Sequence, residues 1–457
     1  MEQDTITAIA TGMTNSGIGI VRISGKEAFS IIDKIYRSKG NKVLSKENSH
    51  TIHYGHIYDG QELVDEVMVS VMRAPKTYTG EDTVEINCHG GLFIVKKVLE
   101  TVLKYGARMA EPGEFSKRAF LNGKMDLSKA EAVMDLIHAQ SDYAYKNSLN
   151  QLKGTLLEKI KSCREKIIYE IAFIESALDD PEHINIDGYS EKLQVTVEQL
   201  KEEIQKMISS SLNGKIIKEG IKTVILGKPN AGKSSLLNLL LGEERAIVTN
   251  IEGTTRDVLE ESINLGGIKL VIMDTAGIRS TKDIVEQIGV EKAKDYAKEA
   301  DFILYVADAS RPLDKNDEQI CSLLENKKSL VLLNKTDLQP VITEEEMKEK
   351  TKSQVISISA KHNKGLDKLS EKIKEMFLQG EINFNEDIMI TNLRHKNLLE
   401  EALQSLKMVE QSIENDMPED FYSIDLMSAY TSLGYIIGEE VEDDLVEEIF
   451  HKFCMGK

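Results

Sequence analysis

The spacing of hydrophobic positions changes period along the chain, and those changes divide it into blocks. In residues 1–121 short apolar runs alternate with turns, which predicts mixed α and β structure. Thr5–Ala10 and Gly19–Ile23 are predicted strands, separated by the glycine-bearing turn Thr14-Asn15-Ser16-Gly17. Glu66–Met72 puts Val67, Val69 and Val71 on one face by strict alternation, the pattern of a half-buried strand. Thr83–Asn87 predicts another, after which His89-Gly90-Gly91 turns the chain into a helix over Leu92–Tyr105. A second turn is expected at Glu111-Pro112-Gly113-Glu114-Phe115, with Ser116 as N-cap of the next helical stretch.

From about Asp126 to Asp180 the period becomes helical. Ala130, Val133, Met134 and Ile137, then Leu156, Ile160, Ile167, Ile171 and Ile174, recur at helical spacing, with no proline before Pro181. Val195–Leu212 continues the pattern with Leu200, Ile204 and Ile208 on one stripe, which is core and carries no chemistry. Between Ile221 and about Phe377 the pattern alternates strand and helix. Predicted strands are Thr223–Leu226, Lys269–Met273, Phe302–Asp308, Leu330–Asn334 and Val355–Ser359, the βα order of a parallel sheet covered on both faces. Beyond about Gln379 helix-rich, acidic sequence returns. The fold class expected is a multidomain α/β chain. It would comprise an N-terminal α+β domain (1–121), an all-α helical domain in two parts (122–218 and 380–457), and a nucleotide domain (219–379) inserted between them. Neither helical part is long enough to bury a sizeable core alone, so helices from before and after the insertion should pack together.

Composition refines this picture. A chain of 457 residues suits about three domains, and 41% hydrophobic with 29% charged residues suits a folded soluble protein. The net charge of −19 repels nucleic acid at long range, so RNA contact needs a local basic patch or a partner that supplies one. Between Gln411 and Phe450 twelve Asp and Glu occur without one Lys or Arg, which is either a solvated helical face or an acidic docking surface. Cys88, Cys163, Cys321 and Cys454 are widely spaced, which argues for a reducing compartment and against a disulfide framework or zinc site. The N-terminus lacks a basic-then-apolar signal pattern, and no apolar run approaches the ~20 residues that span a bilayer. A cytoplasmic protein without a membrane anchor is expected.

Chemistry concentrates in the middle block. Gly227 to Ser235 reads GKPNAGKSS, a GxxxxGKS spacing between an apolar run and a helical pattern. Glycines there let the N–H groups of Asn230, Ala231, Gly232, Lys233, Ser234 and Ser235 turn inward around a phosphate, and the helix N-terminus adds positive potential. Lys233 can reach the outer phosphates and Ser234 can ligand Mg²⁺. Asp274-Thr275-Ala276-Gly277 follows a strand, where Asp274 can hold a Mg²⁺ water and Gly277 can sense the last phosphate. Asn334-Lys335-Thr336-Asp337 follows another, and the Asp337 carboxylate can accept both N–H donors of guanine's edge. Ser359-Ala360-Lys361 is placed to support the base. In that order these motifs specify a GTP-binding domain. Ile278 stands where a water-orienting glutamine would be expected. Thr255 is the natural second Mg²⁺ ligand, and the preceding loop, AIVTNIEGTTRD from Ala246, carries carbonyl oxygens able to surround a cation.

That loop, the GKPNAGKSS loop and the hydrophobic residue after DTAG resemble the GTPases of the TrmE–Era–EngA group. Three further stretches narrow the likeness and extend it along essentially the whole chain. They are Thr79-Gly80-Glu81-Asp82 with His89-Gly90-Gly91, the segment RMAEPGEFSKRAFLNGKMDL over Arg108–Leu127, and the terminal Cys454-Met455-Gly456-Lys457. Together they resemble the MnmE (TrmE) family of tRNA modification GTPases. An Era-like chain would lack the long N-terminal region, and an EngA-like one would repeat the GTPase domain.

The resemblance implies K⁺ beside the phosphates, held by the Asn230 side chain, backbone oxygens around Thr249 and Ile251, and Thr254. It also matches Glu286 to a water-positioning glutamate, so that Glu286, Lys233 and Thr255 form the catalytic set. From the residues alone, Glu286 reads as an exposed helix carboxylate, and only the resemblance favours the catalytic role. The N-terminal domain resembles folate-binding, dimer-forming one-carbon domains, with Arg22, Glu85, Lys124 and Lys457 at the contacts of 5-formyl- or methylene-tetrahydrofolate. Cys454 is either a reactive thiol or a positioning residue, and the chain end is implied to reach the folate pocket of its own protomer or of a dimer mate. Implied partners are a second copy (homodimer), an FAD- and NADH-dependent MnmG (GidA) family protein in a heterotetramer, and tRNA. The implied activity is K⁺-dependent GTP hydrolysis coupled to installing a carboxymethylaminomethyl or aminomethyl group at carbon five of the wobble uridine. Two other readings compete: a GTPase switch in ribosome assembly or RNA binding without modification chemistry, and a folate enzyme with a regulatory GTPase domain.

Overall fold

The structure, a computed structural model, describes residues 4–183, 188–243, 261–273, 295–378, 389–439, 449–451, 453 and 456. The chain divides into two compact units. One takes Met1–Met134, Leu157–Arg164 and Leu433–Lys457, the other Asp135–Leu156 and Glu165–Ser432.

The first unit is built on a seven-stranded sheet: β1 (Ile6–Ile9), β2 (Ile18–Ser24), β3 (Tyr36–Arg37), β4 (Thr51–Asp59), β5 (Glu62–Met72), β6 (Thr83–His89) and β7 (Arg108–Met109), in the order β3-β4-β5-β6-β2-β1-β7. Its pairs are antiparallel apart from β1 with β7. Val21, Ile23, Val67, Val69, Val71, Val84 and Ile86 form one core with Ile31 and Ile32 of helix Ala28–Ile35 and Val98 and Val102 of helix Leu92–Lys104. Successive strand side chains face opposite ways. Burying Val21, Ile23, Val84 and Ile86 therefore sends Arg22 and Glu85 to the other face, where the register sets them directly opposite each other.

Two expectations change here. β5 begins at Glu62 rather than Glu66 and pairs with β4, a strand that periodicity did not predict because its histidines, tyrosines and Gly55 blur the apolar alternation. Ser116 does not cap a helix. It is buried inside helix Glu114–Leu121, hydrogen-bonded to the Tyr78 hydroxyl at 2.7 Å, and Gly113 takes the cap position with φ 70°. A side chain at Gly113 would meet Phe450 O at 2.3 Å, which explains why the polar capping residue is absent.

In the second unit a six-stranded sheet has the order β13-β12-β11-β8-β10-β9. Its strands are β8 (Ile221–Leu226), β9 (Glu261–Leu265), β10 (Ile268–Met273), β11 (Phe302–Asp308), β12 (Ser329–Asn334) and β13 (Gln354–Ser357). All pairs are parallel except β9 with β10, so the expected parallel sheet carries one antiparallel edge strand. β11 and β12 are buried along their whole length, as strands covered on both faces must be. Leu236, Leu237 and Leu240 of helix Lys233–Glu243 and Leu366, Leu369 and Ile373 of helix Leu366–Phe377 cover one face. Leu324 of helix Lys315–Leu324 and Met347 of helix Glu344–Thr351 belong to the core on the other.

The helical run beyond residue 126 is interrupted. Leu127–Ile137, Asp142–Lys153 and Thr155–Asp179 are separate helices, divided where Ser141 caps the second and Gly154 adopts φ 95°. Val195–Leu212 lies within one long helix, Tyr189–Glu219. That helix packs against Leu393–Glu414, with Lys201 and Glu410 ion-paired at 2.7 Å. The nucleotide-type sheet is therefore inserted between helices that pack together, as expected. Among the described residues no helix is long and apolar enough to cross a membrane.

The approach of these segments is closest at Gly214, where an added Cβ would lie 2.1 Å from Ile390 O. Alanine ordinarily stabilises a helix interior by about 1 kcal/mol over glycine. Here a forced backbone shift of about 1–3 kcal/mol should outweigh that gain. Gly214→Ala is expected to lower the midpoint of thermal unfolding; an unchanged or raised midpoint would mean the Ile390 backbone yields freely.

Candidate functional site: a phosphate loop tied to a base loop

β8 ends at Leu226 and helix Lys233–Glu243 begins six residues after Gly227, so the phosphate loop joins a buried strand to a helix N-terminus. Gly227 and Gly232 are required by close approach. A Cβ on Gly227 would meet Val306 O at 2.4 Å, and one on Gly232 would meet Asn334 Nδ2 at 2.0 Å. Asn230 sits at the exposed tip in the left-handed region, φ 63°. The Lys233 ammonium donates to Gly227 O at 2.6 Å and Lys228 O at 2.8 Å, inside the loop. Burial pulls its pKa below the usual lysine value. A phosphate arriving there meets a cation that water solvates poorly, which strengthens the attraction.

Asn334 ties this loop to the base-binding loops. Its Nδ2 donates to Ala231 O at 2.9 Å and its Oδ1 accepts from Ala360 N at 3.0 Å, both in buried surroundings. Lys335, at φ 65°, reaches back to Asp308 at 2.6 Å. Thr336 Oγ1 donates to Ile358 O at 2.9 Å. Ser359 Oγ donates to Asp337 Oδ1 at 2.7 Å. That hydrogen bond holds the Asp337 pKa below the usual carboxylate range, so at neutral pH the residue is an acceptor only, ready for paired N–H donors.

One member of the site was not singled out by sequence reasoning. Lys228, the second residue of the loop, buries its side chain and ion-pairs with Asp314 at 2.7 Å and Asp317 at 2.5 Å. Burial opposes its charge, but the hydrogen bonds it donates to Asp314 and Asp317 outweigh this and raise its pKa. Asp317 also accepts the Tyr305 hydroxyl at 2.7 Å, and Asp314 and Asp317 form the capping box of helix Lys315–Leu324. The capping-box spacing was readable; its attachment to a lysine 86 residues earlier was not.

The first unit holds the other group of expected residues. Arg22 Nε donates to Glu85 Oε1 at 2.8 Å, and the Tyr78 and Phe115 rings lie 5.7 and 5.6 Å from the guanidinium carbon. Arg22 Nη1 also donates to Gly456 O at 3.3 Å. The penultimate residue is thus beside Arg22 in the same chain, in a place where a Cβ would meet Ile9 O at 2.3 Å. Lys124 does not join the Arg22–Glu85 pair. It donates to Pro75 O at 2.9 Å, and Asn122 donates to Thr79 O at 2.8 Å. Cys88 is buried and its thiol is pushed up to about 11, chiefly by that burial and then by Asp65. Thr249, Ile251, Thr254, Thr255, Asp274, Gly277, Ile278, Glu286, Cys454 and Lys457 lie outside the described residues.

Comparison with known proteins divides the chain near residue 125, whereas the first compact unit also takes Leu157–Arg164 and Leu433–Lys457. The family model described as "GTP-binding protein TrmE N-terminus" matches residues 5–124, and the "MnmE helical domain" model matches residues 127–454. The chain belongs to the MnmE family. It is 58% identical to the tRNA modification GTPase MnmE of Lachnoclostridium phytofermentans over 100% of each chain. It is 48% identical to the proteins of that name from Clostridioides difficile, over 99% of each chain, and Enterococcus faecalis, over 100% of this chain and 99% of the other. In this MnmE-family chain Asn334 is the common fastener of the glycine-rich loop and the NKTD and SAK loops.

Asn334→Ala would leave the Ala231 carbonyl and Ala360 N–H buried without partners, at about 1–3 kcal/mol. GTP affinity is expected to fall roughly tenfold to a hundredfold, measured by titration with a fluorescent GTP analogue. Unchanged affinity would mean that the two loops hold their places independently.

Proposed function

We propose that the chain is a K⁺-dependent GTPase of tRNA modification. With an FAD- and NADH-using MnmG-family partner, it would install a carboxymethylaminomethyl or aminomethyl group at carbon five of the wobble uridine. The observation that supports this reading is that phosphate and base loops tied together by Asn334 occur in one chain with an N-terminal Arg22–Glu85 pair, while the two family models match residues 5–124 and 127–454.

In the GTPase domain, taken as 219–379, Lys233 neutralises the outer phosphates, and Ser234 and Thr255 hold Mg²⁺. Asp274 takes a water of that ion, Gly277 contacts the last phosphate, and Asp337 reads guanine with Ser359 and Ala360 behind it. Asn230 stands at the exposed loop tip, where a carboxamide oxygen suits K⁺; Thr249, Ile251 and Thr254 supply its further ligands. The ion places positive charge where negative charge grows on the phosphates. Glu286 orients the attacking water, filling the role that Ile278 cannot.

In the N-terminal domain, taken as 1–121, the Arg22–Glu85 pair fits a tetrahydrofolate. A carboxylate can hold the amino and ring N–H groups of a pterin, a guanidinium can meet carboxylates, and the Tyr78 and Phe115 rings give the site aromatic walls. Bound there, the folate supplies the one-carbon unit. Lys124 and Lys457 add cations at its rim. Gly456 beside Arg22 favours completion of the pocket within one chain, with Cys454 as a reactive thiol or a positioning residue. The helical parts, 122–218 and 380–457, join the two activities in a cytoplasmic homodimer that assembles with the partner as a heterotetramer.

Nucleoside analysis of tRNA from a deletion strain tests this reading: the carbon-five modification of wobble uridines should disappear, and unchanged nucleosides would sink it. The cation assignment has its own test. Asn230→Ala should abolish K⁺ stimulation of hydrolysis while leaving GTP affinity within about twofold, and equal wild-type rates in K⁺ and Na⁺ would remove the basis for the assignment.

A further inference from the structure

At the edge of the second sheet where β12 and β13 begin lies a cleft of about 830 Å³. The phosphate and base loops follow the opposite ends of β8 and β12, so this cleft belongs to neither. Its lining includes Lys327, Lys328, Lys350 and Lys352 against Glu318 and Glu325, a local positive excess in a chain of net charge −19.

None of the four lysines is ion-paired with a described residue. Lys327 instead donates to Lys298 O at 2.6 Å and Ala300 O at 3.0 Å, and Lys328 donates to Met376 O at 2.8 Å with its ammonium 4.5 Å from the Phe377 ring centre. Carbonyls and a ring face fix these two cations in place without cancelling their charge. Lys350 and Lys352 are exposed and close the opposite wall, just before β13. The dipole of helix Glu344–Thr351 favours a lysine in its last turn, which accounts for Lys350. Lys327 and Lys328 likewise bond carbonyls at the C-terminal ends of two other helices, the one ending at residue 299 and Leu366–Phe377, so that the lysines of three helix ends meet at one cleft.

We propose that this cleft binds the phosphodiester backbone of the RNA substrate. The inference rests on the reading that tRNA is the substrate, and it supplies the local basic surface that a chain of this charge requires. Fixed, uncancelled ammonium groups are point charges suited to phosphate oxygens, and they position a backbone without reading sequence.

The test is binding of bulk tRNA to the full chain by fluorescence anisotropy across a salt series. Each phosphate contact contributes about 0.7–0.9 to the slope of log affinity against log salt. The double variant Lys350→Gln/Lys352→Gln should therefore flatten that slope by about 1.5 and weaken binding about tenfold at low salt, with GTP hydrolysis unchanged. Glu318→Gln/Glu325→Gln should shift affinity the other way. Lys350→Arg/Lys352→Arg should bind as the wild type does. An unaltered slope and affinity in the glutamine pair, or no tRNA binding by the wild type, overturns the cleft. Loss of tRNA binding in millimolar inorganic phosphate, at constant ionic strength, would reassign it to free phosphate and equally overturn the proposal. The tRNA-modification reading is judged separately by the nucleosides.

Discussion

Two hydrogen bonds from one buried carboxamide hold the nucleotide site in register. Asn334 reaches from the end of β12 to the phosphate loop on one side and to the Ser359-Ala360 turn on the other. Each bond is between neutral groups and contributes on the order of 1 kcal/mol. Their consequence lies in what they join: the glycine-rich loop after β8 and the loops after β12 and β13 come from different strands, and a nucleotide can engage them together only if their separation is fixed beforehand. Gly232 is part of the same device, since any side chain there would occupy the place of the Asn334 amide. Lys228 anchors the other flank of the loop to helix Lys315–Leu324 through the buried carboxylate of Asp317 and the exposed one of its N-cap, Asp314. Removing one partner of such a buried pair strands a charge, so the anchor holds position more than it adds net stability.

The Arg22–Glu85 pair is organised by the same logic in a different fold. Cross-strand register delivers Arg22 opposite Glu85, and the segment bearing Tyr78 must then be held over them. Ser24 holds it through Thr79 and Glu81, at 2.7 Å each, and Arg118 binds Glu81, Glu114 and Asp4. The Thr79–Asp82 stretch that carried family likeness in the sequence is therefore a mounting for the aromatic wall, with Asn122 and Lys124 bracing it from the next loop.

How much of this was readable from sequence depended on how local its cause is. β8, β10, β11 and β12 were legible because strands buried on both faces are continuously apolar. β4 and β9 were not: each gains its place from pairing with neighbouring strands, and its own alternation is weak. The phosphate, NKTD and SAK loops were legible because their chemistry is written in adjacent residues. Lys228 with Asp314, and Arg22 with Gly456, are joined across 86 and 434 residues, and no spacing rule reaches that far. Ser116 misled for a related reason. Its residue type favours a cap, but Phe450 crowds the true cap position so closely that only glycine fits.

The charge of the chain raises a final question, which is how an acidic protein can hold RNA at all. At physiological ionic strength the Debye length is about 8 Å. Repulsion from carboxylates farther than this is largely screened, whereas ammonium groups in direct contact with phosphates act below that distance. A net charge of −19 therefore slows approach more than it weakens a formed contact. Short-range contact can then succeed wherever positive charge is fixed and uncancelled. Most lysines with a carboxylate beside them, such as Lys201 with Glu198 and Glu410, cannot serve. Lys327 and Lys328, pinned by carbonyls, keep their full charge. What separates a useful cation from a neutralised one in this chain is the kind of acceptor that holds it.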